Sequence, residues 1–296
     1  MKIRAAAKIN LGLDVTGRLQ DGYHLIESVF QSVGLFDLIE AELTEGGIAL
    51  ECTVPEEFAA ADPIPCDRRN IAYKAAELYF SETGIGKGCR LSVTKGIPSQ
   101  AGMGGGSADA AGVLYCLNEL CGAPVSHEEL CRIGKKLGAD VPFCLTGGTA
   151  YVGGIGEEIR PLPEYSGRIL VIGKGREGVS TGEAYRNIDV LVSPVHPEVE
   201  KLRQALETDP DSAPQYFGNL FEQAVCLEEV DSLKSVMLDK GAVRAIMTGS
   251  GSAVFGLFRS RDEAEACCEE LKKMGYFSAV CETVGKAFYE EQKRDC

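Results

Sequence analysis

The 296-residue sequence predicts an α+β fold arranged as two successive units. Segments with the strict alternation of β-strands are interleaved with segments of three- and four-residue helical spacing in both halves of the chain. A stretch containing proline and glycine, residues 161–167, separates the two halves. We therefore expect a first domain over residues 1–162 and a second over residues 163–296.

The first unit opens with an alternating segment, residues 3–13, that predicts a strand with apolar side chains on one face. Lys8, Asn10 and Asp14 are expected together on the other face. An Asp-Gly turn at residues 20–23 leads into a second predicted strand. The remaining predictions for this unit are strands at 24–33, 48–54, 89–94 and 149–153, and helices at 69–81, from Ala110 to a stop at Gly122, and from a capping box at Ser126 to Leu137 with Gly138 as its stop.

The second unit repeats the mixture of strands and helices. A helix over 261–274 is indicated by apolar residues at helical spacing, and a mixed helical stretch is indicated over 197–240. Strands are predicted at 168–173, 243–248, 253–258 and 278–284, with a glycine turn at 249–251.

The most informative segment is the glycine-rich stretch 96–106, which leads directly into a predicted helix. Gly102, Gly104, Gly105 and Gly106 can adopt positive φ and allow a ligand to approach the backbone closely. The start of the following helix adds unpaired N–H groups and a partial positive charge, which together favour a phosphate. The P-loop pattern is absent because no Gly-Lys-Ser/Thr triplet occurs, and Asp109 stands where a dinucleotide motif would need its third glycine.

Composition excludes several other classes of protein. A net charge of −14 argues against a nucleic-acid polymer as partner, although it allows a small nucleotide ligand. No apolar run approaches the roughly 20 residues of a membrane span, and the N-terminal segment has no signal-peptide core, so a cytoplasmic location without membrane attachment is expected. The twelve cysteines include no C-x-x-C pair, which predicts reduced and mostly packed thiols.

The glycine segment PSQAGMGGGSADAA resembles the ATP-binding motif of the galactokinase, homoserine kinase, mevalonate kinase and phosphomevalonate kinase (GHMP) superfamily. This resemblance implies a two-lobed fold, with an N-terminal lobe like domain 2 of ribosomal protein S5 and a ferredoxin-like C-terminal lobe. It also implies ATP as a substrate held by Pro98, Gly102, Met103, Gly104, Gly105, Gly106 and Ser107.

Four further segments narrow the resemblance: KINL at 8–11, DGYH at 21–24, GADVPF at 138–143 and TGSGS at 248–252. Together they are similar to the 4-diphosphocytidyl-2-C-methyl-D-erythritol kinase family. The resemblance implies ATP-dependent phosphorylation of the 2-hydroxyl of that substrate, in the methylerythritol phosphate route to isoprenoid precursors, with Mg²⁺ accompanying ATP. The expected ligands are small molecules, and either a monomer or a homodimer is compatible with the sequence.

The resemblance assigns catalysis to Lys8 and Asp140. By position alone, Asp140 fits a turn or a helix cap, and Lys8 fits the exposed face of an edge strand. The resemblance implies that Asp140 orients the acceptor hydroxyl and accepts its proton. It also implies that Lys8 keeps Asp140 ionised and stabilises charge on the γ-phosphoryl group.

Acceptor recognition is expected from Asn10, Tyr23, His24, Tyr185, Gly249 and Ser250. Tyr23 offers a face on which cytosine can stack, and Tyr185 would supply the opposite wall. His24 would bind the edge of the base, largely through its backbone. From the residues alone, Tyr23 could equally be a core tyrosine and His24 a surface histidine.

On the nucleotide side, Ser107 is expected to contact phosphate or Mg²⁺, and residues 67–70 to lie near the adenine. This chain has Ala108 where the family often has a second serine, so no hydroxyl contact is expected from position 108.

Three alternatives remain open at this point. A sister kinase acting on homoserine, mevalonate or a sugar would share the glycine segment, and a non-catalytic relative could bind ATP without turnover. The sequence also contains a literal G-x-G-x-x-G at Gly173, Gly175 and Gly178, which would suggest dinucleotide binding, although the helical pattern after it lasts only about eight residues.

Overall fold

A computed structural model describes residues 1–55 and 64–286. Its strands are β1 (Lys2–Arg18), β2 (His24–Thr44), β3 (Ile48–Thr53), β4 (Gly88–Thr94), β5 (Thr149–Gly153), β6 (Glu158–Pro161), β7 (Ile169–Lys174), β8 (Gly218–Asn219), β9 (Arg244–Met247), β10 (Val254–Phe258) and β11 (Phe277–Glu282). Its α-helices are α1 (Ile71–Thr83), α2 (Gly105–Leu120), α3 (His127–Lys135), α4 (Val141–Thr146), α5 (Thr181–Ile188), α6 (Val199–Thr208), α7 (Glu228–Asp239) and α8 (Arg261–Lys273).

The first sheet is organised around the long β1–β2 hairpin. Its main path has the order β3-β4-β2-β1-β8, and β5 pairs with β2 and with β6. Strand β2 extends well beyond the predicted end at residue 33, because its second half pairs with β4 over Leu38–Thr44 while its first half pairs with β5 over Ser28–Gln31. The short β8 comes from the second half of the chain and lies parallel to β1 beside Gly12.

A bulge in β1 corrects the predicted arrangement of its polar face. Asn10 pairs with Phe30 but Gly12 already pairs with Val29, so Leu11 is an extra residue that shifts the alternation. Beyond this point Leu13, and not Asp14, shares the face of Lys8 and Asn10. The prediction that Asp14 joins that face was therefore wrong.

The glycine segment and the predicted helix overlap. Helix α2 begins at Gly105, five residues earlier than the apolar spacing indicated, so Gly105 and Gly106 are helical, and among the glycines of this segment only Gly102 and Gly104 have positive φ. Gly104 is the N-cap of α2, and Gly122 adopts positive φ just after its end as expected.

Helix α3 begins after Ser126, whose side chain accepts the Glu129 N–H at 3.2 Å as the capping box predicted. It ends at Lys135, earlier than expected, and Gly138 is not a left-handed stop. The short helix α4 follows, with Asp140 at its N-cap and Pro142 in its first turn, where proline is well tolerated. Helix α4 and strands β6 and β8 were not predicted from the sequence.

The second sheet has the order β11-β7-β10-β9, and every pair in it is antiparallel. Numbered by themselves, these strands lie in the order 4-1-3-2, with α7 and α8 as the connecting helices that pack on the sheet. This is the predicted ferredoxin-like arrangement.

The same sheet contradicts the dinucleotide-binding alternative. That motif requires a strand in a parallel sheet followed by a crossover helix, whereas β7 is antiparallel to both neighbours and α5 spans 8 residues. The side chain of Glu229 lies against Gly175, and that of Gln100 lies against Gly178, so protein fills the space that a pyrophosphate would need.

All eleven cysteines in the described part of the chain are free thiols, as expected, and the buried ones include Cys89, Cys116 and Cys144. Over residues 1–55 and 64–286, no helix combines the length and apolar character that crossing a membrane would require.

Candidate active site

A cavity of about 680 Å³ opens between the glycine segment, the β1–β2 hairpin and the turn after β9. Its volume is within the range typical of small-ligand sites. Most residues predicted for catalysis and binding line it: Lys8, Asn10, Pro98, Gly102, Met103, Gly104, Gly105, Gly106, Asp140, Tyr185, Gly249 and Ser250. Tyr23, His24 and Ser107 were also predicted but do not line the cavity.

Lys8 and Asp140 lie side by side on the cavity wall. The Lys8 Nζ is 3.6 Å from Asp140 Oδ2, and 7% of the lysine side chain is exposed against 30% of the aspartate side chain. Lys8 is thus not on an exposed edge strand, because β1 is covered by β2 and by residues of the second half of the chain. Its ammonium also lies 4.5 Å from the centre of the Phe30 ring, a cation–π contact. A shielded cation beside a more accessible carboxylate suits proton transfer from a bound hydroxyl.

Asn10 links this pair to the second half of the chain. Its Oδ1 accepts hydrogen bonds from Lys8 Nζ at 2.9 Å and from the Gly249 N–H at 3.0 Å, and its Nδ2 donates to Ser28 Oγ at 2.9 Å. Its backbone N–H donates to Thr248 Oγ1 at 2.9 Å. The Asn10 side-chain oxygen is therefore fully bonded to protein groups, and its role is to position Lys8. Only an N–H of the Asn10 amide is left for the predicted contact with the acceptor.

Two glycines allow the glycine segment and the turn at 248–250 to touch. A side chain at Gly102 would collide with the Thr248 carbonyl, and one at Gly249 would lie 2.6 Å from the Gly102 carbonyl oxygen. Gly102 and Gly249 both have positive φ. Close backbone packing of this kind requires glycine, and it fixes the two walls of the cavity relative to each other.

The start of α2 faces the same cavity and can bind an anion. Its N-cap, Gly104, has no side chain, so the first-turn N–H groups donate no hydrogen bond to a capping side chain. Gly105 and Gly106 line the cavity at this point. Unpaired N–H groups and the helix dipole favour an anion at this point. Ala108 is fully buried on the core side of α2, so a serine hydroxyl there would not face the cavity.

Behind the glycine segment lies a buried ion cluster that sequence reasoning missed. Lys95 Nζ donates to Asp37 and to Asp109 Oδ2, the latter at 2.7 Å, and the Gly96 and Ile97 N–H groups donate to Asp37 Oδ1 at 2.7 and 2.8 Å. Burial lowers the pKa of Lys95, but the charges of Asp109 and Asp37 more than offset it, so the pKa is raised. Burial raises the pKa of Asp109 well above its usual range. Lys95 thereby joins α2 to the strand that carries Asp37, and both Lys95 and Asp109 line the cavity beside Gly105.

We expect Lys95→Met to destabilise the protein by about 3–5 kcal/mol, because it leaves two carboxylates buried without their cation. Lys87→Met is the matched control, since Lys87 forms an exposed pair with Glu45 and should change the free energy of unfolding by less than about 1 kcal/mol. Urea unfolding of both variants measures the difference. Equal, small losses would show that the cluster contributes little to stability.

The arrangement of aromatic rings around Tyr185 differs from the predicted pair of tyrosine walls. Tyr23 lies in the turn between β1 and β2 and is 61% exposed. The ring of His24, not that of Tyr23, stacks on Tyr185, with centroids 4.5 Å apart and an angle of 19° between the planes. Tyr185 also meets Phe221 edge to face at 5.0 Å. Burial, and secondarily the charge of Asp140, raises the pKa of Tyr185 to about 12, so its hydroxyl is a donor at neutral pH.

Residues near the start of α1 line the other end of the cavity. Asn70 caps α1 by accepting the Ala72 N–H at 2.8 Å, and Ile64, Pro65, Arg69, Asn70 and Ile71 line the cavity. Of residues 67–70, Arg69 and Asn70 line the cavity, whereas Asp67 is bonded to Arg69 and does not line it. That these residues lie near the adenine stays a prediction. In the described part of the chain, no group of three or more His, Cys, Asp or Glu side chains could hold a metal ion.

Comparisons with known proteins agree with this geometry. The profile of the GHMP kinases N terminal domain matches residues 70–148, and that of the GHMP kinases C terminal domain matches residues 199–276. A 4-diphosphocytidyl-2-C-methyl-D-erythritol kinase from Clostridium botulinum is 41% identical over 276 residues, which cover 92% of this chain and 96% of that protein. The chain belongs to the 4-diphosphocytidyl-2-C-methyl-D-erythritol kinase family.

Solved structures support the same family and fold. A crystal structure of 4-(cytidine 5'-diphospho)-2C-methyl-D-erythritol kinase is 33% identical, with a TM-score of 0.82 over 96% of this chain and 100% of that one. A homoserine kinase from Cytophaga hutchinsonii, 21% identical with a TM-score of 0.74 over 96% of this chain and 94% of that one, shares the fold. Membership of the family makes the protein an ATP-dependent small-molecule kinase of the GHMP superfamily.

Proposed function

We propose that this protein transfers the γ-phosphoryl group of ATP to the 2-hydroxyl of 4-diphosphocytidyl-2-C-methyl-D-erythritol, a step in the formation of isoprenoid precursors. The observation that carries the proposal is the Lys8–Asp140 pair, 3.6 Å apart, placed between an anion-binding helix start and an aromatic acceptor end. Its family relatives bear the name of this kinase.

The proposed reaction uses each part of the site once. The amides of Gly105 and Gly106 hold the polyphosphate, and the γ-phosphoryl group points toward Lys8. Asp140 accepts the proton of the 2-hydroxyl. At the same time the hydroxyl oxygen forms a bond to the γ-phosphorus, and the bond between this phosphorus and the β-phosphate oxygen breaks. Phosphoryl transfer requires mainly alignment and charge stabilisation, and Lys8 supplies positive charge to the transferred group.

A magnesium ion would reach the site with ATP. The described residues offer no cluster of metal ligands, which fits an ion that is coordinated chiefly by phosphate oxygens and water. Ser107, in the first turn of α2, is the hydroxyl that we assign to the phosphate or the ion. When bound, Mg²⁺ neutralises charge on the polyphosphate. All of these residues come from one chain, so either a monomer or a homodimer fits the proposal.

A coupled assay of ADP release tests the proposal directly. The protein should turn over 4-diphosphocytidyl-2-C-methyl-D-erythritol and show no turnover with mevalonate or homoserine. Phosphorylation of homoserine or mevalonate in preference to the cytidyl substrate would replace the proposal with that of a sister kinase. If the protein binds ATP but turns over none of these three compounds, it is a nucleotide-binding relative that lacks kinase activity toward them.

Substitution of Tyr23 tests recognition of the base. Because Tyr23 is held out from a tight turn and is largely exposed, its ring is free to stack on cytosine. Tyr23→Ala should raise KM for the cytidyl substrate by roughly 5- to 150-fold, corresponding to a stacking term of about 1 to 3 kcal/mol. Tyr23→Phe keeps the ring and should change KM little.

The KM for ATP serves as the internal control in both Tyr23 variants, because the turn and the glycine segment lie at different ends of the site. Steady-state kinetics with melting curves make the measurement. An equal rise of KM for ATP and for the cytidyl substrate in Tyr23→Ala would indicate a general structural role.

A further inference from the structure

The turn that carries Tyr23 is held to the second half of the chain by one carboxylate. Asp189 follows α5, and its Oδ2 accepts a hydrogen bond from Arg18 Nη1 at 3.0 Å. Its Oδ1 lies 2.8 Å from His24 Nε2. We call these three residues, Arg18, His24 and Asp189, the hairpin clamp. In the sequence, Asp189 is separated from Arg18 by 171 residues and from His24 by 165 residues.

The clamp holds the hairpin at the two residues that flank its turn. Arg18 is the last residue of β1 and His24 the first of β2, and the two are paired in the β1–β2 register. The intervening turn is closed by a hydrogen bond from the Leu19 N–H to the Tyr23 carbonyl at 2.7 Å. Fixing both ends of so short a turn fixes the direction in which Tyr23 leaves the backbone.

The two bonds of the clamp differ in strength. The Arg18 side chain is 57% exposed, so its pair with Asp189 is weakened by solvent. The His24 side chain is 10% exposed and its ring is covered by Tyr185, whereas the Asp189 side chain is 27% exposed, so their bond is shielded from solvent on the histidine side only. That bond, together with the nearby charges of His24 and Arg18, holds the pKa of Asp189 below its usual range.

The stability of helix α5 does not explain an aspartate at position 189, its C-terminal end. A negative charge at the C-terminal end of a helix is unfavourable, because the unpaired carbonyls there carry partial negative charge. Tyr185 lies one helical turn before Asp189, and the Asp189 N–H donates to its carbonyl at 3.1 Å. One turn of α5 therefore presents an aromatic ring to the cavity and a carboxylate to the hairpin.

We propose that Asp189 is a positioning residue for the acceptor site: it holds the Arg18–His24 hairpin against α5, so that the Tyr23 ring is set at a fixed separation from the stacked rings of His24 and Tyr185 before the cytidyl group binds. The inference rests on the proposed function for the identity of the acceptor. Asp189 does not line the cavity itself and acts through His24 and Tyr185. Ordering the site in advance lowers the entropy cost of binding.

The test compares Asp189→Asn with the parent by steady-state kinetics and by hydrogen exchange of peptides covering residues 18–25. Asparagine keeps one acceptor oxygen but loses the negative charge and the second acceptor, so the variant should weaken the clamp and raise KM for the cytidyl substrate by about three- to tenfold. The kcat and the KM for ATP should change little, and the hairpin amides should exchange faster. Arg18→Gln should act in the same direction with a smaller effect, because Arg18 is the more exposed partner.

Glu200→Gln is the matched control, since it removes a carboxylate that is paired with Arg203 outside the cavity. It should leave both the cytidyl KM and the hairpin exchange unchanged. Unchanged KM and unchanged exchange in Asp189→Asn would overturn the proposal, as would an equal rise of KM for ATP. If the parent does not turn over the cytidyl substrate, the proposed function fails, and hairpin exchange alone then decides for or against the clamp.

Discussion

Asp140→Asn should lower kcat by about 10²- to 10⁴-fold while both substrates still bind. The asparagine keeps the size of the side chain but cannot accept the proton of the acceptor hydroxyl. The loss should appear in kcat and not in either KM, because the carboxylate acts mainly in the transition state. Steady-state kinetics and binding calorimetry with ATP measure the two quantities separately.

The structure explains why this variant should remain folded. Asp140 occupies the N-cap position of α4 but its side chain makes no capping hydrogen bond there, so none is lost. Lys8 also retains the Asn10 Oδ1 as an acceptor at 2.9 Å, which keeps the ammonium in place. Asp211→Asn, at an exposed pair with Arg168, is the control for loss of a carboxylate. Activity of Asp140→Asn within about tenfold of the parent would show that Asp140 is not the catalytic group.

Gly104→Val should abolish the stabilisation of the protein by ATP and Mg²⁺, which for the parent amounts to about 2.7 kcal/mol at 100 times the Kd. A Cβ at Gly104 would lie 3.1 Å from Lys8 Cγ and 3.8 Å from Asp140 Oδ2. The branches of valine would then occupy the space between the start of α2 and Lys8. Thermal melts with and without nucleotide, together with calorimetry, make the measurement.

The chain offers a close control for the backbone strain in this variant. Gly84, which caps α1, has φ of +69° against +70° for Gly104, and no atom lies within 4 Å of a Cβ built there. Gly84→Val should cost similar stability, because valine is strained at positive φ in both places, yet its melting temperature should still rise with ATP. Undiminished binding of ATP by Gly104→Val would contradict the phosphate site at the start of α2.

Local features of this chain were determined by the sequence alone. The glycine segment, the capping box at Ser126 and the alternation in β1 depend on neighbouring residues, and they predicted the helix and strands around the site. The resemblance carried by the KINL and DGYH segments led to the correct family, which 41% identity to a relative confirms. The four strands of the second sheet were predicted from their residue patterns, while their ferredoxin-like arrangement was implied by the resemblance.

Only the tertiary structure decided which side chains meet. The bulge at Leu11 depends on the register with β2 and turned Asp14 away from Lys8. Lys95 binds Asp37 from 58 residues away, and Asp189 reaches His24 from 165 residues away. Local patterns set the conformation of each segment, but contacts between distant segments depend on how whole sheets and helices pack. The sequence therefore predicted Lys8 and Asp140 as candidates, while the fold determined that they lie together and what holds them in place.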